Sequence, residues 1–183
     1  MKAYQQAFKQ QYLFNEQSNQ FNYKKFISVF RISLVRDRHI QFEQKQITDS
    51  QQAHLILKRL IEVEGNPDWE QFCIALLNAK NQIIGLNIVS TGGLSSAPVD
   101  IANILKPAIL ANAAAMILCH NHPSGDISPS SQDINITKKI VKAAKIMGIS
   151  VLEHLVISMY MYDNSYYSFA DNGLITQAYN DAG

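Results

Sequence analysis

Cysteine is scarce in this chain of 183 residues: Cys73 and Cys119 are its two cysteines, too few for a disulfide scaffold. Long apolar runs are also missing, since no stretch approaches the roughly 18 residues needed to cross a bilayer. The first residues, MKAYQQAFKQQYLFNEQ, lack the continuous apolar segment of a secretory signal. An intracellular, cytoplasmic location without a membrane partner is therefore expected. Charge of one sign is missing as well, with 16 basic against 15 acidic side chains and a net charge of +1. A dedicated nucleic-acid binder carries a basic excess or stripe, because it must neutralise phosphates. Here the positives fall into two scattered groups, Lys24, Lys25, Arg31, Arg36 and Arg38, then Lys138, Lys139, Lys142 and Lys145. Nucleic acid is thus a partner that the sequence allows but its charge does not favour. Internal repeats and low-complexity linkers are absent too.

What remains is a chain that is 47% apolar and long enough to bury roughly 70% of its unfolded surface. One domain with a real core, residues 25–183, is expected behind a short arm or helix at 1–24, where glutamines alternate with aromatics. KKFISVFRISLV (25–36) reads as a strand. Thr48-Asp-Ser-Gln51 resembles a capping box, and Ala53, Ile56, Leu57, Leu60 and Ile61 follow at helical spacing. Two apolar runs, WEQFCIALLN and QIIGLNIVS, are joined by Ala79-Lys80-Asn81 as in a hairpin. STGGLSSAP (90–98) is a loop by composition. Asp100 caps a helical stretch, IANILKPAILANAA, which Pro107 should kink or split. AAMILC reads as a short buried strand ending at His120. HNHPSGDISP is a loop, and Ser130 opens a helix that Gly148 ends. ISVLEHLVIS and SYYSF close the chain as two strands around a turn at Asp163-Asn164. Strands and helices intermixed in this way belong to an α/β or α+β fold.

Chemistry concentrates between residues 120 and 133. His120 and His122 are two apart, so in an extended chain both rings point to one side. Asp133 lies in the first turn of the next helix, and Pro123, Gly125 and Pro129 let the intervening loop double back. Two imidazoles and a carboxylate are the donors of a catalytic zinc site with a fourth position left for water, whose pKa such a site lowers towards neutrality. A structural reading stands beside this one. Ser130 would cap the helix with Asp133 as its reciprocal carboxylate, and the histidines would be hydrogen-bonded loop residues.

His120-Asn-His122, seven residues and then Ser130-x-x-Asp133 resembles the motif of the JAMM (JAB/MPN) zinc metalloproteases. The longer string HNHPSGDISPSSQD is closest to the RadC-like branch of that superfamily. EQFCIALLN, IVSTGG and ILKPAILANAA before it, and ITKKI and YYSFADNGL after it, extend the likeness over about 70–172. The resemblance implies a mixed β-sheet flanked by helices, the JAB/MPN-like (cytidine-deaminase-like) architecture. It implies one Zn2+ per chain on His120, His122 and Asp133, with Glu70 as general base and Ser130 steadying the oxyanion. Its expected substrate is a peptide or protein cleaved at a peptide or isopeptide bond. The alternatives are a DNA-repair-associated accessory or binding protein, as the RadC-like family name implies, and a metal-stabilised scaffold without turnover. Where many members have Arg-Glu before the kinked helix, this chain has Ala102-Asn103; where they have Asp-His in the late strand, it has Glu153-His154. No segment resembles the helix-hairpin-helix region that precedes this domain in full-length relatives.

Other residues fit blander roles. On its own, an acid at position 70 would be a solvated strand end, and Glu62 and Glu64 fall at the end of a helix. Cys119 should face the core opposite to His120, and Cys73 should fill a strand. Trp69 is expected in the core rather than walling the cleft. His154 is read as a satisfied histidine at a strand edge, or as a partner of a metal ligand. His39 and His54 are read as surface residues. The literal tripeptide His-Asn-His does not match an HNH nuclease, whose named residues are spread over a ββα unit.

Overall fold

The segment QFCIALL has no polar face, and such a run is buried only in a strand covered on both sides. It forms β1 (Gln71–Leu77), in which every residue is buried. The computed structural model describes residues 33–35, 37, 39–42, 46–92, 99–160 and 165–183, all within the unit Ser33–Gly183. The expected arm at 1–24, the tip of the 90–98 loop and the turn at Asp163-Asn164 lie outside the described residues. So does most of the strand expected at 25–36; its described part, 33–35, is exposed and forms no strand.

A hairpin turn with Asn81 at φ 55° leads from β1 into the antiparallel β2 (Ile83–Thr91). On its other side β1 pairs antiparallel with β3 (Ala115–His122), which runs parallel to β4 (Ser150–Ser158), and β4 pairs antiparallel with β5 (Tyr166–Ser168). The sheet is mixed, as the resemblance implied, and has the order β2-β1-β3-β4-β5. Strand alternation sends Phe72, Ile74, Leu76, Met116, Leu118 and Val156 to one face. There they meet α2 (Ile101–Leu110), α3 (Ser131–Ile146) and α4 (Leu174–Asp181). Cys73, Ala75, Leu77, Ile117, Cys119 and Leu155 go to the other face, against α1 (Ser50–Glu64).

Several local expectations shift. The cap of α1 is Asp49, whose side chain accepts from Gln52 N–H at 2.8 Å, one residue later than a Thr48 box. Pro107 neither ends nor divides α2. The carbonyl deprived of a partner by its missing N–H belongs to Asn103, on the exposed side of the helix, where water can serve it. Strand β3 continues two residues past His120, because Asn121 and His122 still find ladder partners in Ile157 and Ser158. The helix α4 was not anticipated. It is eight residues long, and its N-cap is Gly173 without a side-chain cap, so it shows no start signal.

Two contacts fix the chain around the end of β3. Beyond the last β1–β3 pair, the buried Asn121 side chain replaces the ladder: its Oδ1 accepts from Gln71 N–H at 2.9 Å, and its Nδ2 donates to the carbonyls of Pro67 at 3.2 Å and Trp69 at 2.9 Å. On the far side of His122 the loop turns at Gly125, φ 77°. A β-carbon there would fall on the ring of Tyr160, whose hydroxyl donates to Ser124 O at 2.9 Å.

Asn121→Ala should lower stability by about 2–4 kcal/mol in urea unfolding, since it orphans a buried N–H. Asn121→Asp should cost at least as much, because it sets an oxygen against two carbonyls. Gly125→Ala should cost more than Gly148→Ala by about 1 kcal/mol. Both glycines have positive φ, 77° and 71°, but nothing lies near the α-carbon substituent position at Gly148; equal costs would show that Tyr160 does not brace the loop.

Candidate metal centre

The continuation of β3 is what sets both rings on the α3 side of the sheet. His120 is buried at 2% exposure, while His122 and Asp133 are half-buried at the rim. Their Nε2 atoms stand 3.0 Å apart. Asp133 Oδ1 lies 3.4 Å from His120 Nε2, and Oδ2 lies 3.7 Å from His122 Nε2. The three residues can each turn one ligand atom to a common point, all such atoms being within 4.8 Å of one another. Zinc with bonds of about 2.0–2.1 Å spaces its ligands by about 3.3 Å in a tetrahedron, so the donor set fits such an ion in type and spacing.

Asp133 serves two ends of this arrangement. Ser130 caps α3 and forms a reciprocal box with Asp133: Asp133 Oδ2 takes the Ser130 N–H at 2.7 Å and the Ser130 O–H at 2.6 Å. That leaves Oδ1 towards His120. The structural and the metal-ligating readings of these two residues therefore coexist. Burial works to raise the Asp133 carboxyl, but the His120 and His122 rings beside it and the Ser130 hydroxyl override it and hold the group well below the usual carboxylate range. The start of the helix adds in the same direction. His122 is pushed up chiefly by the Asp133 carboxylate beside it, with smaller contributions from Asp126 O and from the charge of Glu70. Its Nδ1 donates to the carbonyl of Asp126 at 2.6 Å, which leaves Nε2 as the atom for a ligand.

Glu70 is half-buried, one residue before β1. Phe72 pairs with His120, so the same antiparallel register carried two residues further sets position 70 opposite His122. Its charge reaches that ring, in keeping with this placement. The Asn121 bonds to Pro67, Trp69 and Gln71 hold the backbone on both sides of it. Glu62 and Glu64 sit in the last turn of α1, away from β3.

Other expectations are corrected. His154 is fully buried in β4, between β3 and β5 rather than at an edge. Its Nε2 is 2.9 Å from His120 Nδ1 and its Nδ1 is 2.6 Å from Thr137 Oγ1. Burial, with the neighbouring His120, keeps this ring well below the ordinary imidazole value. His54 is buried at 1% and stacks on Tyr166 with ring centroids 4.7 Å apart, because it falls within the α1 stripe that faces the sheet. Trp69 is 53% exposed; its backbone carbonyl, not its indole, is what the fold uses. Cys119 does face away from His120, opposite Cys73 in the ladder, and burial beside that second thiol pushes it up. Glu153 turns from the metal side to accept from Ser168, His154 N–H and Ala170 N–H. Thr137 and Asn121 were missed. Thr137 had one signal: it stands four residues after Asp133, hence on the same face of α3.

The RadC-like JAB domain family matches residues 47–174. A UPF0758 protein of Symbiobacterium thermophilum is 47% identical over 107 residues, 58% of this chain and 44% of that protein. UPF0758 proteins of Flavobacterium johnsoniae and Clostridium acetobutylicum are each 38% identical, over 71% and 73% of this chain and 54% and 56% of their own lengths. The chain thus spans about half the length of the curated relatives it matches. Among its described residues, no helix is long and apolar enough to cross a membrane. With the His-x-His strand end, the capped Asp133 and the mixed sheet all in place, the chain belongs to the RadC-like JAB domain family.

Proposed function

We propose that this chain is a zinc-dependent hydrolase of the JAMM type, acting on a peptide or isopeptide bond of a peptide or protein substrate. The supporting observation is the convergence of His120 Nε2, His122 Nε2 and an Asp133 oxygen within 4.8 Å, with Glu70 close enough to be felt at His122. Three donor atoms brought so near are the arrangement that a bound cation stabilises. When bound, zinc supplies a Lewis acid for a carbonyl oxygen and lowers the pKa of coordinated water towards neutrality.

The chain's own groups do the rest. Glu70, at the mouth of the site, takes the proton of the attacking water and delivers it to the departing amine. Ser130 is exposed at the start of α3. Its hydroxyl donates to Asp133 Oδ2 and turns towards the oxygen of a bound carbonyl as charge grows there. The Phe72 ring, stacked on His120 with centroids 6.0 Å apart, keeps water from the inner side of the site.

The protein purified without added metal should contain about one zinc per chain by elemental analysis, and His122→Ala and Asp133→Ala should lose it. Absence of zinc in a folded parent that also takes none up would falsify this reading. On a peptide and isopeptide library, Glu70→Gln should retain the metal yet lower kcat by about 10²–10⁴-fold. Undiminished turnover by Glu70→Gln would move the base elsewhere, and zinc retention with no turnover by the parent would favour the scaffold.

A further inference from the structure

We propose that Thr137 and His154 are positioning residues of this metal site, which together dictate the tautomer and orientation of His120. The inference rests on the metal reading above, and it follows from counting protons along a buried chain. Thr137 Oγ1 lies 2.6 Å from the backbone carbonyl oxygen of Asp133 and 2.6 Å from His154 Nδ1. A carbonyl only accepts, so the single hydroxyl proton of Thr137 belongs to Asp133 O. The Thr137 oxygen is then the acceptor for His154, and the proton of that ring sits on Nδ1. His154 is fully buried between Phe72 and Phe169, with ring centroids at 5.4 and 4.6 Å, a setting that disfavours an imidazolium. Its Nε2 therefore carries a lone pair and accepts from His120 Nδ1–H across 2.9 Å.

The consequence falls on the last atom of the chain. With its proton on Nδ1, His120 presents a bare Nε2, the atom 3.0 Å from His122 Nε2 and 3.4 Å from Asp133 Oδ1. The opposite polarity would leave Thr137 Oγ1 and Asp133 O facing each other at 2.6 Å without a proton. Asp133 thus enters twice, its carbonyl as the fixed end of the relay and its carboxylate beside the nitrogen that the relay exposes. His122 reaches the same state in one step through Asp126 O. His120 is too far inside for a loop carbonyl and takes two side chains to do it.

The test is zinc affinity, measured by competition with a chromophoric chelator at fixed pH. It compares the parent, Thr137→Val, which keeps the shape and deletes the hydroxyl, and Thr137→Ser, which restores it. Thr137→Val should bind zinc about 10–100-fold more weakly, and Thr137→Ser should bind like the parent. The imidazole ¹⁵N shifts should show His154 as the Nδ1–H tautomer in the parent and lose that signature in Thr137→Val, a change that loosened packing alone does not produce. Equal affinity in all three proteins would overturn the proposal while leaving the metal site standing. A parent that takes up no zinc would overturn both, and is seen before any variant is compared. Should Thr137→Val fail to fold, the parent's shifts decide: a protonated His154 Nε2 refutes the relay, a bare one supports it.

Discussion

The carboxylate of Asp133 joins the end of one element to the start of another. Oδ2 closes the cap of α3 through Ser130, and the same carboxylate faces the two rings that β3 carries out of the sheet, Oδ1 towards His120 and Oδ2 towards His122. Helix starts have orphan N–H groups that must find acceptors, so some acceptor at this place is required for folding alone. Here the requirement is met by a side chain whose second oxygen is left over for chemistry. A substitution at Asp133 therefore cannot separate helix capping from metal binding, whereas the two histidines take no part in the cap.

The same economy governs β3. Its alternation divides labour residue by residue: Leu118, His120 and His122 on the α3 side, Cys119 and Asn121 on the other. The last two residues of the strand, Asn121 and His122, pair with β4 beyond the stretch where β1 is paired. Where β1 has run out as a partner, Asn121 substitutes for it with three side-chain bonds. The strand end that presents the rings is thereby tied to the segment bearing Glu70. Positioning of this kind is what the proposed role of Glu70 as a base requires, since small misplacements of a base from its proton are costly.

Much of this was legible in the sequence. The hairpin of β1 and β2, the Asp100 and Ser130 caps and the grouping of His120, His122 and Asp133 follow from period, spacing and motif, and the mixed sheet follows from the family resemblance. What was not legible depends on contacts across the sheet. His154 reads as an ordinary strand histidine until β4 is known to lie beside β3 in parallel register, which brings it to Leu118 and its ring to His120. His54 looks like a surface residue until Tyr166, more than a hundred positions away, is stacked on it. Trp69 has the composition of a core residue, and only its place just outside β1 leaves it exposed. Pro107 obeys the local rule that it removes a hydrogen bond; the rule cannot say that the orphaned carbonyl will face water, where its loss is mild.

The buried relay also bears on why polar groups are retained so deep in an apolar layer. Thr137 and His154 sit among Phe72, Phe169 and the apolar residues of α3, where each unsatisfied polar atom would be costly. Satisfied in series from a backbone carbonyl, they can adopt one polarity, and that polarity ends at the nitrogen facing His122 and Asp133. An apolar pair of the same volume would pack as well but would leave His120 free to choose its tautomer. The position of α3 supplies the fixed carbonyl, and the parallel pairing of β3 with β4 supplies the ring that reads it. In this fold the geometry of the core and the electronic state of the site are therefore set by the same contacts.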